Sequence, residues 1–363
     1  MKRISIYFFL ITIIVVVYSC RKDYRIIEPA PKNTPVSIKS FIPAGFPSLS
    51  SDLNIRFDNP LTEEGIALGR RLFYDVKLSG NNTQSCGSCH IQKYAFTNGP
   101  DLPLSFGADG ISRTKRNTPS TFNLLWSKHF MWDGSQPGIE EQATGPITNP
   151  VEMNQDLKLL VNELQSDPNY PALFKKAFGS DSITIARVQM ALGQFERTII
   201  SGSSKFDLFI QRKVNFTSDE YAGLAIFQSM TLGDCVHCHS LGGAFTDFAF
   251  KHNGLDTALP GSTIDVGRFG ITHQGFDSMM FKTPTLRNIA LTSPYMHDGR
   301  FKTLEEVVEF YDHGFYRNKN LDVNMALLPK NRMTVTQKAQ LVTFLKTLTD
   351  TVFTKDAKLS NPF

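Results

Sequence analysis

Apolar residues recur at helical spacing in four places along the chain. Behind Thr62-Glu63-Glu64 come Ile66, Leu68, Leu72 and Phe73, and much further on Ile185, Val188, Leu192, Phe195 and Ile199. Thr217-Ser218-Asp219-Glu220 reads as a capping box ahead of Ala222, Leu224, Ile226 and Phe227. In such a box the hydroxyl and the carboxylate each satisfy a backbone N–H that the first turn leaves free. Thr336 is the expected cap of a last helix carrying Ala339, Leu341, Val342, Leu345 and Leu348. The pattern is an opening helix, a long irregular stretch and a closing helix, written twice. It predicts a mainly α protein in two halves, with the small polar run Ser201-Gly202-Ser203-Ser204 between them.

The start of the chain follows a different pattern. Lys2 and Arg3 precede an apolar run from Ile6 to Tyr18, too short and wrongly flanked for a stable membrane span. Val17-Tyr18-Ser19-Cys20 follows and resembles the lipobox of a bacterial lipoprotein signal, in which Cys20 would become the lipidated first residue. An ordinary export signal with an incidental Cys20 is the other reading. From Arg21 to about Ser51, prolines 29, 31, 35, 43 and 47 sit among small polar residues, the composition of an extended tether. The expected division is residues 1–19 signal, 20–50 lipidated cysteine and tether, 51–202 first domain, 203–350 second domain and 351–363 a C-terminal tail.

Composition narrows the class. With 363 residues and 41% apolar content the chain can bury two cores, and it is neither disordered nor a disulfide scaffold. The net charge of +4 falls towards zero once Lys2 and Arg3 are removed, and no basic stripe with interleaved aromatics points to nucleic acid. The five cysteines are more informative, because an odd number cannot all pair. Setting Cys20 aside, four remain in two short motifs.

Cys86-Gly87-Ser88-Cys89-His90 and Cys235-Val236-His237-Cys238-His239 both read C-x-x-C-H, the attachment signature of c-type haem. Two thiols one helical turn apart can reach both vinyl groups of a porphyrin, and the next histidine can then ligate the iron. A redox dithiol or a pair of zinc knuckles would also use paired cysteines. Neither gives a reason for His90 and His239 to repeat the same offset. Helix, haem motif and closing helix, twice, imply two cytochrome c-like haem domains packed side by side after the signal and tether.

Two haems permit plain electron transfer; an enzyme needs one iron with an open, functional face. No histidine or methionine lies between His90 and His129, so the loop after the first motif offers neither usual sixth ligand. Trp132-Asp133-Gly134 then leads to Gln142, Pro146 and Glu152. Cleaving hydrogen peroxide requires a group that takes a proton from one oxygen and returns it to the other, as a carboxylate can.

The runs Arg116-Asn117-Thr118-Pro119-Ser120, Phe130-Met131-Trp132-Asp133-Gly134, Glu141-Gln142-Ala143-Thr144-Gly145-Pro146 and Val151-Glu152-Met153-Asn154 resemble the bacterial di-haem cytochrome c peroxidases. Pro284-Thr285-Leu286-Arg287-Asn288 and Pro294-Tyr295-Met296-His297-Asp298-Gly299 continue the resemblance, which runs from about Phe57 to Thr349. The resemblance implies that Glu152 is the acid–base residue, Gln142 its helper and Trp132 the conduit between the haems. It also implies that Asn117, Thr292 and the carbonyl of Pro294 hold a calcium ion, oxygen donors being suited to a hard cation. By the same resemblance, a small c-type cytochrome or cupredoxin would donate electrons, and a homodimer is common.

Two departures matter. The family's usual blocking histidine is missing from Ser105-Phe106-Gly107-Ala108-Asp109-Gly110, which implies a first haem open without prior reduction. The position of the usual axial methionine of the second haem, after Thr303–Phe310, holds Tyr311, the pattern of the MauG-like branch that oxidises a partner protein. Methionine raises the potential, whereas a phenolate favours higher oxidation states. Met279, Met280, Met296, Met325 and Met333 are the other axial candidates.

Simpler roles exist for several of these residues. Trp132 could be a core aromatic, Glu152 a helix-start carboxylate ahead of Leu157, and His129 a solvated side chain. His297 reads as a structural contact, and His237 as facing solvent. Three functions compete: a peroxidase, a MauG-type oxidase of a substrate protein, and a non-catalytic di-haem electron carrier. For the second, Trp126 and Trp132 are the only tryptophans, so hopping to a distant surface would use tyrosines such as Tyr295 or Tyr316. The expected location is the periplasmic or cell-envelope side of a bacterial membrane, held by a lipid anchor.

Overall fold

The computed structural model describes residues 34–256 and 264–363. The signal, Cys20 and residues 21–33 of the tether lie outside these residues. The chain is mainly helical, and its only paired strands among the described residues are the two-residue segments Phe250–Lys251 and Phe281–Lys282. No helix among the described residues is long and apolar enough to cross a membrane.

Each half is built on one helix crossing. In the first, Glu63–Tyr74 packs against Ile185–Glu196; in the second, Ser218–Gln228 packs against Val335–Lys346. Both crossings depend on a glycine. A Cβ at Gly69 would lie 1.9 Å from the Ala191 carbonyl, and one at Gly223 would lie 2.0 Å from the Gln340 carbonyl. Only glycine lets the two backbones approach this closely. Phe73, Phe195 and Phe96 cluster beside the first crossing, with Phe73 and Phe195 ring centres 5.4 Å apart. Phe227, Phe344 and Phe245 repeat the arrangement beside the second, with Phe227 and Phe344 at 5.2 Å.

The caps hold with one shift. Thr62 caps the first helix and Thr217 with Glu220 forms the expected box. The last helix is capped by Thr334, not Thr336, because Gln337 lies three residues after Thr334 and its Oε1 accepts from the Thr334 N–H at 2.8 Å. Thr336 is therefore inside the first turn.

The junction between the halves is not a loose linker. Ser201 and Ser204 are fully buried. Asp350 Oδ2 accepts from Ser201 Oγ and from the backbone N–H groups of Gly202 and Ser203, at 2.9–3.1 Å. Residues 351–363 also cross back to the first half rather than trailing away. Phe353 and Leu359 join the first core, Gln92 Nε2 donates to the Phe353 and Asp356 carbonyls, and Tyr74 Oη donates to the Leu359 carbonyl.

Candidate active site

Both C-x-x-C-H motifs open onto one continuous cavity of about 1350 Å³, lined by side chains from both halves. The first motif forms the short helix Cys86–Cys89, opened by a Ser85–Ser88 capping box. The second forms the turn Cys235–His237. In both, the histidine N–H closes back on the first cysteine's carbonyl at 2.8 Å, which sets His90 and His239 at the same place relative to their thiols.

The chemistry of these donors suits haem rather than zinc or a redox dithiol. All four cysteines are unpaired. Burial pushes the thiols of Cys86, Cys235 and Cys238 upward, the last to about 11, whereas a zinc ligand or redox thiol needs a stabilised thiolate. Among the described residues, the one cluster of His, Cys, Asp and Glu with ion-binding spacing is Asp256, His297 and Asp298, and it contains no motif residue. His90 Nδ1 donates to the Phe96 carbonyl at 3.0 Å, and His239 Nδ1 donates to the Phe245 carbonyl at 3.1 Å. A carbonyl only accepts, so each ring keeps its proton on Nδ1 and offers the Nε2 lone pair. Burial lowers both imidazoles, which keeps them neutral, as an iron ligand must be.

On the side of the first motif, Gln142, Pro146 and Glu152 line the cavity together with Ser105 and Phe106. Glu152 is not a helix-start residue: Asp156 caps the helix Leu157–Ser166. Burial raises the Glu152 carboxyl, against the opposing effect of Asn149, whose Nδ2 donates to Oε1 at 2.8 Å. Gln142 ends the short helix Ile139–Gln142, which is locked by the buried pair of Glu140 with Arg197 at 2.7 Å. Its Nε2 lies 3.7 Å from Met131 Sδ.

Trp132 lies at the seam. Its indole N–H donates to the Asn117 carbonyl at 2.8 Å, and its own carbonyl accepts from the Lys282 N–H of the second half at 2.7 Å. Asn117 N–H in turn donates to the His297 carbonyl at 2.7 Å. Asn117, Thr292 and Pro294 all line the cavity, and the Asn117 amide nitrogen is committed to the Pro103 carbonyl.

On the side of the second motif, the helix Leu304–Glu309 widens into a π turn, Phe310–Gly314, that carries Tyr311. Such turns are often found at functional positions. Asn253 Nδ2 donates to Tyr311 Oη at 3.1 Å and lies 3.7 Å from Met296 Sδ. Burial pushes the phenol up to about 12, with Asn253 opposing it. Met296, Met325 and Met333 also line the cavity; Met279 and Met280 do not. His129 stands outside the lining, tilted against Phe250 at 5.3 Å. His297 is buried and stacks on Phe281 at 3.8 Å, and His237 pairs with Asp234 at 2.6 Å.

Comparison with known proteins agrees with this geometry. The profile of the di-haem cytochrome c peroxidase family matches residues 63–215. The methylamine utilization protein MauG of Methylophilus methylotrophus is 36% identical over 293 residues, 80% of this chain and 84% of that protein. The chain belongs to the di-haem cytochrome c peroxidase family. The cytochrome c551 peroxidase of Nitrosomonas europaea is 34% identical over 297 residues, 81% of this chain and 83% of that one. A solved MauG-like protein associated with microbial copper homeostasis superposes with a TM-score of 0.79 at 33% identity, covering 88% of this chain and 98% of that one. Membership makes the chain an oxidoreductase of the peroxidase type and implies two haem c groups.

A repeat that the C-x-x-C-H motifs do not mark also bears on the site. From residue 116 to 146 and from 281 to 311 the chain folds the same way at one constant spacing. Asn123 and Asn288 share a left-handed backbone, as do Met131 and Met296, and Gly134 and Gly299. Each copy closes with a bridge, Phe130 to Gln136 and Tyr295 to Phe301. The shared signal is Thr-Pro starting five residues before Asn123 and Asn288, and Met-x-Asp-Gly after them. In this register Trp132 corresponds to His297, Asn117 to Lys282, and Pro146 to Tyr311. The first half therefore puts a side chain with no donor atom where the second half puts a phenol.

Proposed function

We propose that this chain reduces hydrogen peroxide to water at the first haem, with two electrons relayed through the second. The observation that carries the reading is the asymmetry of the repeat: Pro146, unable to ligate, stands with Glu152 and Gln142, whereas Tyr311 stands with Asn253. When bound, the first haem supplies the electrons that break the O–O bond. The Glu152 carboxylate takes a proton from the nearer peroxide oxygen and returns it to the departing one, so that peroxide, two protons and two electrons yield two waters. Asn149 holds that carboxylate in place through Oε1. Gln142 orients the peroxide from the end of its braced helix, and Trp132, bonded to both halves, is the electron conduit.

Asn117, Thr292 and Pro294 would hold a calcium ion at the same seam. A small c-type cytochrome or a cupredoxin is the proposed donor. Haem attachment fits an exported protein on the periplasmic side, tethered through Cys20. The MauG-type reading, in which a substrate protein is oxidised, draws support from Tyr311, since a phenolate ligand makes the second haem a poor acceptor from high-potential donors.

The test is spectroscopic and kinetic. The as-isolated ferric protein should contain one high-spin and one low-spin haem and should consume peroxide with a reduced c-type cytochrome without prior reduction. Two low-spin haems would refute the open site. Fast reaction with peroxide followed by indifference to small donors would move the assignment to a protein substrate.

A further inference from the structure

The repeat contains one exchange of charge: neutral Asn117 in the first half becomes Lys282 in the second. Other cations that line the cavity are either exposed, as Lys115 is, or already satisfied. Arg116 pairs with Asp133 and Asp265, Lys251 with Asp322, and Arg332 donates to backbone carbonyls including that of Tyr311. Lys282 faces no carboxylate among the described residues; its nearest aromatic is the face of Phe248, with the ammonium 5.8 Å from the ring centre. Burial pushes the ammonium down to about 8, and no neighbouring charge opposes it. The next residue adds a second sign. Thr283 lines the cavity, is almost fully buried, and its hydroxyl has no hydrogen-bond partner. Thr121, from the first half, lines the same cavity with a buried hydroxyl in the same condition.

An ammonium drawn away from water without a counter-charge is unfavourable. Lys282 spends its backbone N–H on Trp132 and lines the cavity as an ammonium with no carboxylate partner among the described residues, a position suited to an anion. Two residues further on, the carbonyl of Pro284 contacts the His239 ring, which ties this segment to the second motif. The anionic groups that a c-type haem carries are its two propionates.

We propose that Lys282, with the Thr283 hydroxyl, seats a propionate carboxylate of the second haem and thereby raises that haem's reduction potential. This rests on the di-haem reading. A bare carboxylate near the iron favours the ferric state; pairing it with an ammonium removes that preference. Because the equivalent position in the first half is the neutral Asn117, the ion pair acts on one haem and biases electron sharing across Trp132.

The experiment is a spectroelectrochemical titration of the holoenzyme and its Lys282→Gln and Lys282→Arg variants, with haem counted per chain. In Lys282→Gln the ferric-to-ferrous equilibrium of the second haem should shift towards ferric by about tenfold, equivalent to about 59 mV for one electron. Lys282→Arg should keep the wild-type value, and the first haem should move less in both. A shift below about threefold in a fully loaded Lys282→Gln protein would overturn the proposal. So would a shift confined to the first haem, or an equal shift in Lys282→Arg. If Lys282→Gln loses the second haem while Lys282→Arg retains it, the charge is required for seating the haem and the proposal stands; loss in both variants overturns it. A wild-type protein with fewer than two haems would instead refute the di-haem reading itself.

Discussion

Replacing Glu152 with glutamine tests the acid–base role with the least structural disturbance. The side chains have the same shape, and the Asn149 Nδ2 that donates to Oε1 at 2.8 Å can donate equally to an amide oxygen. Placement is therefore conserved while the capacity to take and return a proton is lost. General acid–base catalysis contributes about 10²–10⁴-fold, so the second-order rate with peroxide should fall by that factor, or about 2.7–5.4 kcal/mol in barrier. Stopped-flow mixing of ferric protein with excess peroxide measures it directly. The pH profile adds a second requirement. Burial raises the Glu152 carboxyl, and the base must be ionised to accept the first proton, so the wild-type rate should climb with pH through that raised value. The limb should vanish in Glu152→Gln. In Asn149→Leu it should move to higher pH, since the hydrogen bond that favours the carboxylate is gone. A loss smaller than about tenfold in Glu152→Gln, or an unmoved limb in Asn149→Leu, would refute the assignment.

Three further perturbations probe the rest of the molecule. Tyr311→Phe should abolish the low-spin electron paramagnetic resonance signal of the second haem, whereas Met296→Leu should leave it unchanged; the reverse result would make Met296 the ligand. Arg287→Met strands the buried Asp207 carboxylate, which it now pairs at 2.8 Å, and should cost about 3–5 kcal/mol in urea denaturation at neutral pH. Burial alone would raise Asp207, but Arg287 wins and its folded pKa is depressed. Its stabilisation is therefore present above the unfolded carboxylate value of about 3.9 and is lost as pH falls through the folded one. That acid limb should be missing from the variant. Phe353→Ala should destabilise the first half by about 3–5 kcal/mol, because the ring fills a space between Phe96 and Phe122; a change under about 1 kcal/mol would show that the C-terminal segment merely lies on the surface.

Much of this architecture was legible in local chemistry. The four long helices follow from apolar spacing and caps, and the haem motifs from five-residue signatures, because in both cases the partners are neighbours in the chain. The error at Thr336 is of the same local kind: two threonines two residues apart compete for one cap, and the position of Gln337 decides between them. What could not be read depends on distant partners. Ser201 to Ser204 reads only as a small polar boundary until Asp350 supplies its hydrogen bonds. The last residues look like a polar tail because only Phe353 and Leu359 among them reach the first core. The correspondence of Pro146 with Tyr311 was present in the sequence, but so few identities mark the repeat that its shared backbone makes it visible.

The reciprocal bonds at the seam, Asn117 N–H to the His297 carbonyl and Lys282 N–H to the Trp132 carbonyl, make each half hold the other's central side chain by its backbone. Sliding or opening the interface would break both at once. The junction at Asp350 and the returning C-terminal segment tie the halves together again elsewhere. Trp132 is thus a spacer of constant length. On the proposed reading, an electron crossing it would meet the same distance in every turnover, and its rate would be set by driving force rather than by waiting for the halves to come together.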